Sequence, residues 1–222
     1  MEPINACANI VMCELKRTFT YNSAPMLTLS ISYPKVTLRH CPYAQDSINF
    51  QIQSQICGFL HDVSSDLYRQ AVATYRESQA NDFPFRLFEA VLHYETTYNQ
   101  HCHFSLYRDQ YTFTGGAHGS TIRASNTWNL MSGSNIPLSA FFPEGQEYRT
   151  SLIDQITKQA GENPENFFEE YPTLIANAFN EEQYYLTPSG IAIYFQQYDI
   201  APYSTGIPVF TIPYVDAPNC CK

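Results

Sequence analysis

Two short stretches combine aromatic and polar side chains with residues that turn a chain. In YTFTGGAHGS, from Tyr111 to Ser120, glycines flank His118, so an imidazole could stand on a loop whose backbone approaches a ligand closely. The same letters suit a tight turn between strands, with His118 packed or hydrogen-bonded locally. In YDIAPYSTG, Tyr198, Asp199, Tyr203 and Ser204 could offer an aromatic platform with polar groups for a glycan or a protein surface. There too a plainer role exists, since Pro202 and Gly206 can simply turn the chain between two core strands. Tyr111, His118, Tyr198, Asp199 and Tyr203 are therefore the candidate binding residues.

Catalytic chemistry finds less support. A glycoside hydrolase needs two carboxyl groups about 5 to 10 Å apart. Glu89 and Glu95 share a strand face, but a rise of about 3.3 Å per residue separates their backbones by roughly 20 Å. Either would need a carboxylate from elsewhere, such as Asp199. No Gly-x-Ser-x-Gly elbow or lysine-bearing phosphate loop occurs, and no cysteine has an evident histidine partner, so no catalytic residue is assigned. His101 and His103 would share one face of a strand with Cys102 on the other, giving two converging ligands where zinc wants three or four. No metal and no cofactor is expected.

The elements that must position these residues follow from periodicity. MLTLSISYPKV, from Met26 to Val36, alternates Leu27, Leu29 and Ile31 with polar residues and predicts a half-buried strand that Pro34 ends or places at an edge. From Asp46 or Ser47 as cap, Ile48, Ile52, Ile56, Phe59, Val63, Leu67, Ala71 and Tyr75 predict an amphipathic helix to about Ser78, with a kink at Gly58. FRLFEAVLHYETTYN and HCHFSLYRDQYTF predict a long hairpin. STIRASNTWNL follows as a third sheet unit, with Ile122, Ala124, Trp128 and Leu130 on one face and a short return segment after SGSNIPL. A helix is predicted over 147–160, and a second from Pro164, broken or kinked at Pro172. GIAIYFQQYDI and IPVFTIPYV predict two terminal strands, and DAPNCCK a tail. Helices bracketed by hairpins imply an α+β fold, with an antiparallel sheet or sheets carrying helices on one face in two closely associated subdomains.

A chain of 222 residues suffices for one large domain or two small packed ones. Its net charge of −9 and lack of a basic cluster oppose a nucleic-acid partner. No apolar run reaches the roughly 20 residues that cross a bilayer, and the first residues lack the pattern of an export signal. Seven cysteines without regular spacing suggest free thiols, which makes the cytoplasm the default location; removal of an export signal would instead leave an extracellular protein. The oligomeric state stays open.

Taken together, YTFTGGAHGS, TWNLMSGSNIPLSAFF and YYLTPSGIAIYFQQYDIAPYSTGIPVFTIPY resemble a bacterial domain family found in the C-terminal part of the lysozyme-sensing anti-sigma factor RsiV. ISYPKV and SINFQIQSQI resemble the smaller domain that precedes it, found also in the peptidoglycan deacetylase PdaC outside its catalytic part. The resemblance implies a PdaC-like domain over 8–117 and an RsiV-like domain over 118–215. It implies a non-enzymatic binding or sensor module for a lysozyme-like protein or a cell-wall saccharide, although the membrane and sigma-binding segments of RsiV are missing here. The alternatives are a xylanase-like hydrolase using Glu89, Glu95 or Asp199, and an intracellular structural or assembly protein.

Overall fold

The structure is a computed structural model, and it describes residues 7–143, 145 and 147–214. Two sheets organise it, one of five strands in the order β1-β2-β3-β4-β5 and one of three in the order β6-β7-β8.

The first sheet opens with a hairpin of β1 (Asn9–Tyr21) and β2 (Ala24–Thr37), turned by Asn22 and Ser23 at φ 48° and 65°. β1 escapes the periodicity because it is an edge strand without a buried residue. Pro34 does not end β2. It pairs only with Met12 of β1, beyond the stretch 27–32 that bonds β3, so its missing N–H leaves no gap in a ladder.

From β2 the chain crosses through α1 (Pro42–Asp62), a π-turn (Val63–Leu67) and α2 (Tyr68–Asn81) to β3 (Phe88–Gln100). β3 lies parallel to β2, an arrangement the expected run of hairpins does not include. The helix starts a turn earlier than Asp46, with Pro42 in its first turn, where a missing N–H costs nothing. Ser47 does not cap; its hydroxyl donates to the Gly133 carbonyl at 3.1 Å. The irregularity falls at the π-turn and not at Gly58: Ser64 and Ser65 donate to the His61 carbonyl at 3.2 and 2.7 Å, competing with the helical ladder. The predicted apolar stripe is the buried one, with Ile48, Ile52, Ile56, Phe59 and Val63 packed on Leu27, Ile31, Phe88 and Leu92.

β3 and β4 (His103–Phe113) form the predicted hairpin, followed by β5 (Ser120–Asn129). His101 and Cys102 are its turn, at φ 50° and 59°, so the two histidines do not share a strand face. His103 Nδ1 instead lies 2.6 Å from the His101 carbonyl, and burial lowers its pKa. Cys102 is disulfide-bonded, which corrects the expectation of seven free thiols; Cys7, Cys13, Cys41 and Cys57 are free.

The second core joins α3 (Tyr148–Ala160) and α4 (Tyr171–Ala178) to β6 (Tyr184–Thr187), β7 (Gly190–Tyr194) and β8 (Val209–Ile212). The helix expected from Pro164 is a single 3-10 turn (Pro164–Asn166), and Pro172 opens α4 rather than breaking it. The predicted tail falls outside the described residues. Among the described residues no helix is long and apolar enough to cross a membrane.

Between the two sheets lies a small aromatic seam of Tyr185, Ala192 and Tyr194 packed against Tyr107 and Ile207. Arg123 stacks 3.7 Å over the Tyr107 ring and forms two hydrogen bonds, at 2.8 and 2.7 Å, with the Asp109 carboxylate. Burial alone would lower the Arg123 pKa, but the Asp109 pair together with the nearby Tyr107 and Tyr185 raises it.

Candidate functional site

The loop between β4 and β5 carries the glycine motif. Arg86, which the sequence did not single out, fastens it by donating to the carbonyls of Gly115 and Gly116 at 3.2 and 2.6 Å. Gly115 turns the chain at φ +85°, where a side chain is strained. Gly119 serves a different purpose: a Cβ there would fall 2.2 Å from the Tyr111 ring, so the glycine lets that tyrosine lie flat against the backbone. His118 stands exposed beside it, with Nδ1 3.0 Å from the Gly119 carbonyl.

The second loop joins β7 to β8. Gln196 and Asp199 close a turn, with the Asp199 Oδ2 accepting from Gln196 N–H at 2.9 Å and the Asp199 N–H donating to the Gln196 carbonyl at 3.2 Å. Between them Tyr198 is held at φ 69°, a left-handed conformation uncommon outside glycine, with 53% of its surface exposed. Tyr203 begins the 3-10 turn Tyr203–Thr205, and Gly206 ends it at φ +75°.

The fold brings the two loops together. The His118 and Tyr203 rings stack with centroids 4.0 Å apart and planes 23° apart, and Tyr198 stands 6.0 Å beyond Tyr203. Tyr198, Tyr203 and His118 thus form one row across the joint. Tyr111 lies behind it against Gly119, outside the ring contacts. Asp199 holds the turn through the backbone instead of facing the row.

What aligns the loops is a glutamine pair, Gln196 and Gln197, that no motif in the sequence marks. Gln197 accepts from the Thr121 N–H at 2.8 Å, while Gln196 accepts from the Arg123 N–H at 2.9 Å and donates to the Arg123 carbonyl at 2.7 Å. These side chains bond the open edge of β5 as a neighbouring strand would, covering part of an edge otherwise free to pair with another chain. A Gln-Gln doublet one residue after the end of β7 is the sequence signal for this role.

The carboxylates considered for hydrolysis have their own surroundings. Glu95 lies 3.5 Å from His93, Glu89 is exposed on β3, and Asp199 is engaged as described. Among the described residues no three His, Cys, Asp or Glu side chains gather to hold a metal.

A cleft of about 750 Å³ opens on the other side of Gln196. It runs along β5 between Ser125, the segment 135–138 and the approach to β6, and Arg108 and Gln183 lie in its wall. None of the row residues lines it.

The chain matches two family models in succession, one described as Deacetylase PdaC over residues 21–121 and one as Protein of unknown function (DUF3298) over residues 139–215. No curated protein matches it. Among solved structures it resembles a DUF3298 family member from Bacteroides fragilis, at TM-score 0.74 and 19% identity, over 94% of this chain and 91% of that one. It also resembles a DUF3298 family protein from Pseudomonas aeruginosa, at TM-score 0.60 and 16% identity, with the same two coverages of 94% and 91%. His118 falls in the first matched region and Tyr198 and Tyr203 in the second, so the aromatic row is shared between them. The chain thus matches a PdaC-type model and then a DUF3298 model, and it has the mixed α+β fold of the solved DUF3298 structures.

Proposed function

We propose that this protein is a non-enzymatic binding or sensor module whose ligand, a cell-wall saccharide or a lysozyme-like protein, docks on the row formed by Tyr198, Tyr203 and His118. The observation that carries this reading is the row itself. Two loops from different regions are locked by Arg86 and by the glutamine clamp so that their rings stack, and Tyr198 is held exposed in a strained backbone conformation. Ordered aromatic rings offer contact area at little entropic cost, and such area suits both sugar rings and protein surfaces. Tyr198 and His118 are exposed, as docking of a polymeric or protein ligand requires.

The Cys102 disulfide supports a place of action outside the reducing cytoplasm, where both ligands are met. Binding is favoured over hydrolysis because two of the carboxylates considered for hydrolysis, Asp199 and Glu95, serve other partners.

A thermal-shift series against lysozymes, peptidoglycan fragments and xylan oligosaccharides tests the reading, since a ligand of the native state raises apparent stability by mass action. A saturable rise with one of these, and no cleavage of the glycan on long incubation, is expected. Release of shortened glycan would replace the module with a hydrolase.

A further inference from the structure

The cleft beside β5 contains a charge that the protein does not neutralise. Its two arginines differ sharply. Arg123 is paired bidentately with Asp109, whereas Arg108 has one neutral hydrogen bond, from Nη1 to Asn126 Oδ1 at 3.0 Å, and among the described residues no carboxylate lies within ion-pair distance of it. The Arg108 Nε is buried without a partner, and so is Gln183 Oε1 in the same wall. Arg108 sits opposite Tyr94 on β3 and Ala124 on β5, on the face that packs under α1, and burial lowers its pKa. This half-buried guanidinium is partly desolvated, and no counter-charge among the described residues offsets that.

Nearby acids do not serve it. Glu181 accepts from the Tyr148 hydroxyl at 2.7 Å and lies 4.0 Å from Arg149, and Glu182 is exposed at the rim. The remaining wall is rich in groups suited to a polar ligand, among them Ser125, Asn135 and Gln183.

We propose that this cleft is a binding site for a small carboxylate-bearing ligand, whose carboxylate pairs with the Arg108 guanidinium while its polar groups meet Gln183 and Asn135. The cleft volume of about 750 Å³ falls in the range of small-molecule sites. With Nε buried and Nη1 already donating once to Asn126, the fork offered to a ligand carboxylate is that of Nη1 and Nη2, a planar pair of donors that a lysine lacks. The site is distinct from the aromatic row and stands or falls independently of it.

Calorimetric titration of the whole protein with glucuronate, with N-acetyl-dialanine and with their methyl esters is the test. Saturable binding of either acid with at least tenfold weaker binding of its ester is expected, and the acid that binds tells whether the carboxylate belongs to a sugar acid or a peptide end. Arg108→Gln should weaken that binding about tenfold or more, the usual scale for a charged hydrogen bond, and Arg108→Lys should not restore it. Because the charge is uncompensated, Arg108→Gln should also leave the melting temperature unchanged or higher; a purely structural arginine would lower it. Gln183→Leu supplies a second variant with the charge intact and weaker binding. Absence of heat with both acids at millimolar concentration, or ester binding equal to acid binding, would overturn the proposal.

Discussion

The side-chain amide of Gln196 bonds the main chain of Arg123 twice, accepting from its N–H at 2.9 Å and donating to its carbonyl at 2.7 Å. One residue thus ties the loop of Tyr198 to the strand that follows His118. Gln196→Ala should cost about 1 to 3 kcal/mol, because two main-chain groups lose their partner, and it should loosen the row. Urea denaturation gives the cost. Faster amide exchange over 196–203 than over α3 would show the loosening, whereas unchanged exchange would mean that the clamp does not hold the loop.

Gly119→Ala should destabilise more than Gly116→Ala. An added methyl at Gly119 meets the Tyr111 ring at 2.2 Å, while at Gly116 the nearest atom is 4.0 Å away. Overpacking costs typically 1 to 3 kcal/mol, so about that difference is expected between the two midpoints. Equal midpoints would show that Tyr111 moves aside freely.

Alkaline pH should unfold the protein through its buried phenols. Burial pushes Tyr94 and Tyr194 up to about 12, above the ordinary value of 10. The folded state therefore holds these protons over a range in which the unfolded state releases them. Stability from this source is complete below pH 10 and is lost as pH rises toward about 12. On the acid side, burial lowers the pKa of His103 below the ordinary 6.5, so its contribution is present above that value and declines as pH falls. A flat stability profile from pH 9 to about 12 would contradict the burial of these tyrosines.

Reduction should weaken the fold through Cys102. Loss of a native disulfide typically costs about 2 to 4 kcal/mol, so Cys102→Ser or added dithiothreitol should lower the melting temperature measurably. An identical transition with and without reductant would show that the bond adds nothing.

Periodicity revealed the elements whose one face is buried. Leu27, Leu29 and Ile31 marked β2, and the stripe from Ile48 to Val63 marked the long helix. β1 has no buried face and β6 is buried at three of its four positions, so neither shows an alternation that can be read. The turn at His101 and Cys102 uses residues that seldom take positive φ, which is why it passed for strand. At the aromatic row the residue types were legible, but their meeting depends on long-range packing that no local pattern encodes. Arg108 was legible in principle: it interrupts the apolar face begun by Phe104 and Leu106, and a charge on a buried face asks for a partner.

The central claim is that ligand docks on the row shared by the two matched regions. Calorimetric titration of the wild type, Tyr203→Ala and Tyr198→Ala with the lysozyme or peptidoglycan fragment that raises the melting temperature tests it most directly. The account predicts saturable binding that weakens at least tenfold in both variants, the scale of a loss of about 1.4 kcal/mol, while their melting temperatures stay close to the wild type. Binding of wild-type strength in both variants would place the ligand elsewhere and contradict the claim.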